Sequence, residues 1–336
     1  MKKTIIAIIV VLLLVGGGYA AYNYYAVYTS DERELLVAGK NVSELDSYTM
    51  EVEMDMDIQT MGEAATSYIS VVTDYDKIGK ALRSDASIAL NFEGMPIDIG
   101  VEIVYVNDNL YAKVSSLPAL ITMFLPPEVD QLVGENILLV EGLMEKGDDL
   151  LVEFLEENDM PAMSAEDLLA ELEELGEDVW KEGVISVVTT ESDELDGESA
   201  KKYTLEMDSD KMIDFYYDLM ERYSIVEIMA DAAGEDVDVV REEMELAMEE
   251  AREEMYKAYE EMEVYAWVVD DYLVRMEVSF RDYIEDESDY VDMSMIVSYS
   301  NFNESFEIDE PVDYITTEEL ENLMESILGP GVPMGM

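Results

Sequence analysis

Between residues 48 and 115, hydrophobic and polar positions alternate almost without interruption. In Tyr48 to Ile58, Met50, Val52, Met54, Met56 and Ile58 fall on one face and Glu51, Glu53, Asp55 and Asp57 on the other, which is the period of a half-buried strand. The same period runs from residue 96 to 106, where Ile97, Ile99, Val101, Ile103 and Tyr105 share a face. Runs at 66–76, 80–91 and 109–115 complete five strands with short connections, so the pattern predicts an antiparallel meander. Asn107-Asp108-Asn109 supplies turn residues for its last hairpin. The apolar face needs shelter, either as an ordinary core or as the wall of a space that receives something else.

After residue 117 the period becomes helical, and prolines 118, 126, 127 and 161 punctuate it. Ser164 with an acidic first turn, and a stop at Gly176, mark one helix. Strand runs at 184–190 and 200–207 flank Asp193-Glu194-Leu195-Asp196-Gly197, whose Asp-Gly step suits a hairpin. A second helical block covers 208–262. In its latter half Val240, Met244, Met248, Met255 and Met262 recur at helical spacing with glutamates outside, and this stripe predicts a helix lying across the concave face of a sheet. Strands at 263–269, 273–281 and 290–299, with Asp270-Asp271 as a turn, and a helix from Thr317 to Leu328 complete the pattern. The fold class is α+β.

The N-terminus adds an export segment. Lys2 and Lys3 precede a run without acid or base that lasts to Asp31, and the positive-inside pattern then places the rest of the chain across the membrane. Gly18-Tyr19-Ala20 offers small residues for cleavage, while the length of the run favours retention as a transmembrane helix. Tyr22, Tyr24, Tyr25 and Tyr28 would then form an interfacial girdle, or else simply begin the mature protein. The expected organisation is an anchor or signal peptide at 1–30 and a linker helix at 31–44. A main domain at 45–315 follows, with helical inserts near 117–181 and 208–262, then a C-terminal helix and tail at 316–336. The expected location is the cell membrane, single-pass with the domain outside the cytoplasm, or secreted if the leader is cut.

Charge narrows the partners. The chain has 80 acidic and 19 basic residues, a formal net charge of −61. Such a surface repels phosphate backbones and anionic lipid headgroups, which makes nucleic acid a poor candidate and argues against membrane docking through a basic patch, and leaves cations and basic proteins as possible partners. It also serves solubility or high salt without any partner. With no histidine and no cysteine, imidazole bases, thiolates, Ser-His-Asp triads, disulfides and a lipid-modified cysteine are all absent. No carboxylate pair is singled out by an apolar setting, so the expectation is a non-enzymatic protein without cofactor or metal. Asp208-Ser209-Asp210 and Asp193 to Gly197 resemble fragments of calcium loops but lack the spacing of one. Asn41-Val42-Ser43 and Asn303-Glu304-Ser305 match the glycosylation acceptor, weak support for export. The 24 methionines suit an adaptable apolar surface or serve as core filler.

Several segments carry a resemblance. Leu110-Tyr111 follows the turn of the meander, and Gly197 to Tyr203 with Leu205 forms a hairpin. Trp267-Val268-Val269 leads to Leu273-Val274-Arg275, and Phe302-Asn303 is followed by Glu310-Pro311. Over residues 45 to 315 the order of elements resembles the LppX/LprG-type lipoproteins and, more distantly, the LolA/LolB carriers and RseB-like sensors. The resemblance implies a strongly bent antiparallel half-barrel with helices crossing its concave face, and a cavity for lipid or another hydrophobic ligand between them. The lining residues it implies are Met54, Met56, Ile97, Ile99, Val101, Ile103, Met244, Met248, Met255 and Trp267. The chain departs from that family in lacking the lipobox cysteine and in its acidity. The alternative expectation is an acidic, sensor-like envelope module with a solid core and a protein partner.

Overall fold

A computed structural model describes residues 29–60, 63–92, 95–118, 132–143, 178–222, 262–283 and 290–328, with positions 146, 226, 237–241, 244, 246 and 256. In chain order its elements are α1 (Ser30–Ser43), β1 (Ser47–Thr60), β2 (Glu63–Asp76), β3 (Ala81–Phe92), β4 (Met95–Val106), β5 (Asn109–Ser116) and β6 (Ile137–Glu141). They continue with β7 (Ile185–Leu195), β8 (Glu198–Met207), α2 (Ser209–Arg222), β9 (Glu263–Val269), β10 (Tyr272–Tyr283), β11 (Tyr290–Ser300), β12 (Ile315–Thr316) and α3 (Thr317–Leu328). The chain divides into two compact units, residues 45–145 with 283–336, and residues 1–44 with 146–282.

In the unit built on 45–145, the strand order is β12-β6-β5-β4-β3-β2-β1-β11. All neighbours run antiparallel except β12 and β6, which pair in parallel. The five strands of the meander lie where the alternation predicts them. The Asn107-Asp108 turn has φ of 52° and 66° at its two residues, the left-handed pair that a two-residue hairpin needs. Two strands escape the sequence reading. Ile137–Glu141 is a short apolar run inside a segment with helical spacing, and periodicity alone does not separate so short a strand from a helix. Ile315–Thr316 is only two residues long.

Ile103, expected on the apolar face, lies near the end of β4. It is 37% exposed, whereas Val104 and Val106 on the opposite face are each 7% exposed and join Ala81 and Tyr111 in a small core. At this end of β4, Leu138 of β6 and Ile308 pack on the second face, so both faces carry apolar side chains there.

In the other unit the order is β10-β9-β8-β7, again antiparallel. The hairpin turns Asp196-Gly197 (φ 54° and 89°) and Asp270-Asp271 (φ 48° and 67°) take the same left-handed form. Helix α1 packs on β7 and β9. It starts with a capping box between Thr29 and Glu32 and buries Leu35, Leu36, Ala38 and Val42, the inward stripe of an amphipathic helix. Its polar side is fastened too: the Thr190 hydroxyl donates to Asp31 at 2.7 Å, Lys201 Nζ to Glu34 at 2.5 Å, and Asn41 Nδ2 to the Asp271 carbonyl at 2.7 Å.

Among the described residues no helix is long and apolar enough to cross a membrane. Residues 1–28 of the anchor or signal peptide expected at 1–30, the capped helix from Ser164 and much of the second helical block lie outside the described residues.

Candidate functional site

Cross-strand register turns the alternating runs into one apolar surface. Residues directly opposite in an antiparallel pair share a face. Met54 lies opposite Met295 and Ile69, Ile69 opposite Ile88, and Ile88 opposite Ile99. The next row is Val297, Val52, Val71, Ala86, Val101 and Val114. The row on the other side is Met293, Met56, Ser67, Leu90 and Ile97. At ~4.8 Å between strands the floor is about 24 Å wide over six strands. Its β11–β1 side is sealed, with Met293 at 0%, Met295 at 6% and Met54 at 6% exposure. Met56, Ile97, Ile99 and Val101 are half-buried.

Tyrosines border one end of this floor. Tyr48 lies opposite Tyr75, Tyr75 opposite Leu82, and Leu82 opposite Tyr105. The Tyr48 ring is 5.3 Å from that of Tyr75 and 6.1 Å from that of Tyr299. Burial pushes the hydroxyls of Tyr48 and Tyr299 above the ordinary tyrosine range, so they stay neutral donors and acceptors at the rim of an apolar surface. The sequence pattern does not join these tyrosines, because only the register shows that four strand ends converge.

The reverse face is acidic. A groove of about 350 Å³ is lined by Asp55, Asp57, Tyr68, Asp98 and Asp292, with Met56 and Leu90 also contributing. Asp57 lies directly opposite Asp292, an unfavourable like-charge pair. The hydroxyl of Tyr290 donates to Asp57 at 3.1 Å, and that of Tyr68 to Glu53 at 2.6 Å. Among the described residues no group of three or more carboxylates is placed to hold a metal ion. Of the calcium-loop fragments, Asp208 instead accepts from the Lys211 backbone N–H at 3.1 Å at the start of α2. Asp193 accepts from the Glu194 backbone and from Trp267.

The remaining lining candidates belong to the other unit or lie outside the described residues. Trp267 belongs to the unit of β7–β10, in a charged aromatic setting: its Nε1 donates to Asp193 at 2.9 Å, and Arg275 stands 5.6 Å from its ring. Lys202 Nζ lies 3.9 Å from the Tyr265 ring and 5.2 Å from that of Trp267, a cation–π arrangement. The bond from Trp267 is the main reason that Asp193 is held below the usual carboxylate range. Met244 is half-buried against Val226 and Val240, and Met248 and Met255 lie outside the described residues. Of the glycosylation acceptors, Asn41 is bonded to Asp271, and Asn303 Oδ1 accepts from the Asp46 backbone at 3.1 Å.

No family model matches the chain, and no curated protein matches it. Among solved structures, a DUF1329 family protein from Desulfovibrio piger is similar to it at 10% identity, over 80% of this chain and 90% of that chain, with a TM-score of 0.17. At that score the likeness supports no assignment of fold or ligand.

Proposed function

We propose that the chain is an exported, membrane-tethered, non-enzymatic protein that holds a lipid or another hydrophobic ligand against the apolar floor of its eight-stranded unit, as the resemblance to LppX/LprG-type carriers implies. The supporting observation is the floor itself: rows of methionine, valine and isoleucine in register over six strands, ending in a band of tyrosines. An acyl chain needs only apolar area without directional bonds, and unbranched methionines adapt to its shape. The tyrosines then meet the polar end of the ligand.

Val101→Asp tests this, because it places a charge in the row of the floor that spans all six strands. A fluorescent fatty-acyl probe should bind the wild-type protein and not the variant, with circular dichroism unchanged between the two. A folded variant that takes up the probe as the wild type does would overturn the assignment.

A second reading, an acidic interaction module, is favoured by one observation. Asp55, Asp57, Asp98 and Asp292 line one groove on the reverse face, an acidic surface that would attract a cationic partner. Pull-down at low and high salt separates the two, since an electrostatic contact weakens with screening.

A further inference from the structure

Asn41-Val42-Ser43 and Asn303-Glu304-Ser305 both carry the side chains of an N-glycosylation acceptor, with no proline between asparagine and serine. Attachment needs two groups of such a segment. One is the asparagine Nδ2, which becomes bonded to the sugar, and the other is the hydroxyl two residues on, by which the transferring enzyme recognises the site. The fold engages both groups of the first segment. At the second, Asn303 is held through its Oδ1 instead.

Residues 41–43 end helix α1, and Val42 is buried. Asn41 Nδ2 donates to the Asp271 carbonyl and the Ser43 hydroxyl to the Lys40 carbonyl, each at 2.7 Å. A sugar on Asn41 would stand where the β9–β10 turn already approaches to hydrogen-bond distance. Residues 303–305, by contrast, are exposed and lie in neither helix nor strand. Their backbone is held: the Asn303 N–H donates to the Ser47 carbonyl at 2.9 Å, and the Ser47 hydroxyl donates to the Glu304 carbonyl at 2.5 Å. Asn303 takes φ of 56°, a left-handed value that asparagine tolerates. Its Oδ1 accepts from the Asp46 N–H at 3.1 Å, which turns the oxygen toward the fold. Among the described residues neither Asn303 Nδ2 nor the Ser305 hydroxyl takes part in a hydrogen bond.

We propose that Asn303 is an N-glycosylation site of this chain and that Asn41 is not. The donor is a polyprenyl-linked oligosaccharide. Asn303 Nδ2 forms a bond to the anomeric carbon of the first sugar, and the bond from that carbon to the lipid phosphate oxygen breaks. The lipid phosphate leaves with the electron pair, and the amide nitrogen gives up one proton to a base of the transferase. The Oδ1 acceptor survives the reaction, so the contact with the Asp46 N–H persists in the modified chain. Asn303 follows Tyr299 by four residues, just past the end of β11, so the glycan stands at the tyrosine-bordered end of the floor and keeps that end in water. Modification in the cell rests on the export reading, because the transfer takes place outside the cytoplasm, and it is independent of any ligand on the floor.

The test incubates the folded full-length chain with a lipid-linked oligosaccharide and a purified oligosaccharyltransferase that accepts Asn-x-Ser. Occupancy at each site is read by peptide mass spectrometry before and after enzymatic release of the glycan. Glycan on Asn303 with Asn41 left bare is the expected result. Ser305→Ala removes an exposed hydroxyl and keeps the Asn303 contacts, and it should abolish the modification, whereas Ser43→Ala should leave it unchanged. Folded chain with Asn303 bare would overturn the proposal, as would Asn41 occupied as fully as Asn303, or a glycan that persists in Ser305→Ala. Protease accessibility on intact cells that glycosylate exported proteins reports export separately. An accessible chain that is bare at Asn303 refutes the site alone, and an inaccessible chain that is modified only in vitro refutes export alone.

Discussion

The Tyr111 hydroxyl donates to Glu310 Oε1 at 2.6 Å, joining β5 to the segment that follows β11. Asn107 and Asn109 donate to the same carboxylate at 2.9 and 3.2 Å, and Tyr314 stacks edge-on against Tyr111 at 5.4 Å. One carboxylate thus gathers both sides of the β4–β5 turn and fastens the C-terminal segment beside the core of Ala81, Val104 and Val106. Tyr111→Phe removes a hydrogen bond to a charged group and should cost about 1.5–3 kcal/mol, read as a lower urea midpoint with an unchanged m-value.

The same contact sets a pH dependence. The bond from Tyr111, then those from Asn107 and Asn109, hold Glu310 below the usual glutamate range. A depressed carboxylate stabilises the fold above its unfolded pKa, and that stability is lost as pH falls through the folded value. Wild type should therefore exceed Glu310→Gln in urea midpoint at neutral pH, with the difference closing as the solution is acidified below the ordinary glutamate range. Burial, then the bond to Glu310, pushes Tyr111 up to about 12, so its contribution is present below pH ~10 and is lost as pH rises through that folded value.

Met293 is fully buried opposite Met56, and Met295 lies opposite Met54. Met293→Ala should cost about 2–5 kcal/mol through lost transfer energy and a cavity, whereas Met293→Leu should cost less than about 1.5 kcal/mol. Equal losses in chemical denaturation would mean that the thioether has a role beyond filling volume.

Gly100 lies beside the register shift where β4 meets β5, and a Cβ there would collide with the hydroxyls of Ser115 and Ser116. Gly100→Ala should destabilise by less than about 1 kcal/mol, because the atoms it meets are hydroxyls of two exposed serines that can rotate away. Combining it with Ser115→Ala and Ser116→Ala should recover most of that loss in the same unfolding assay, because both clashing atoms are removed.

Much of the architecture was legible from periodicity. The alternation of Met50 to Ile58 and of Ile97 to Tyr105, and the Asn-Asp, Asp-Gly and Asp-Asp turns, each report local geometry. The site was legible only in part, because it depends on register, which the alternation does not carry across strands. Met54 and Met56 could be placed on an apolar face, but not opposite Met295 and Met293, and the tyrosine border was invisible until Tyr48 met Tyr75 and Tyr299. The apolar packing on the face opposite Ile103 was not legible, because Leu138 and Ile308 come from distant parts of the chain. The charged surroundings of Trp267 were not legible either, because Lys202, Arg275 and Asp193 come from neighbouring strands and a hairpin.

The most direct test of the central claim is native mass spectrometry with lipid extraction on residues 29–336, which keep the Thr29 cap, purified without detergent from an expressing cell. Lipid binding on the floor predicts a stoichiometric hydrophobic ligand on the wild-type protein that is lost from folded Val101→Asp. A folded wild-type protein that carries no ligand and takes up no fatty-acyl probe would contradict it, and would leave the acidic interaction module as the better reading.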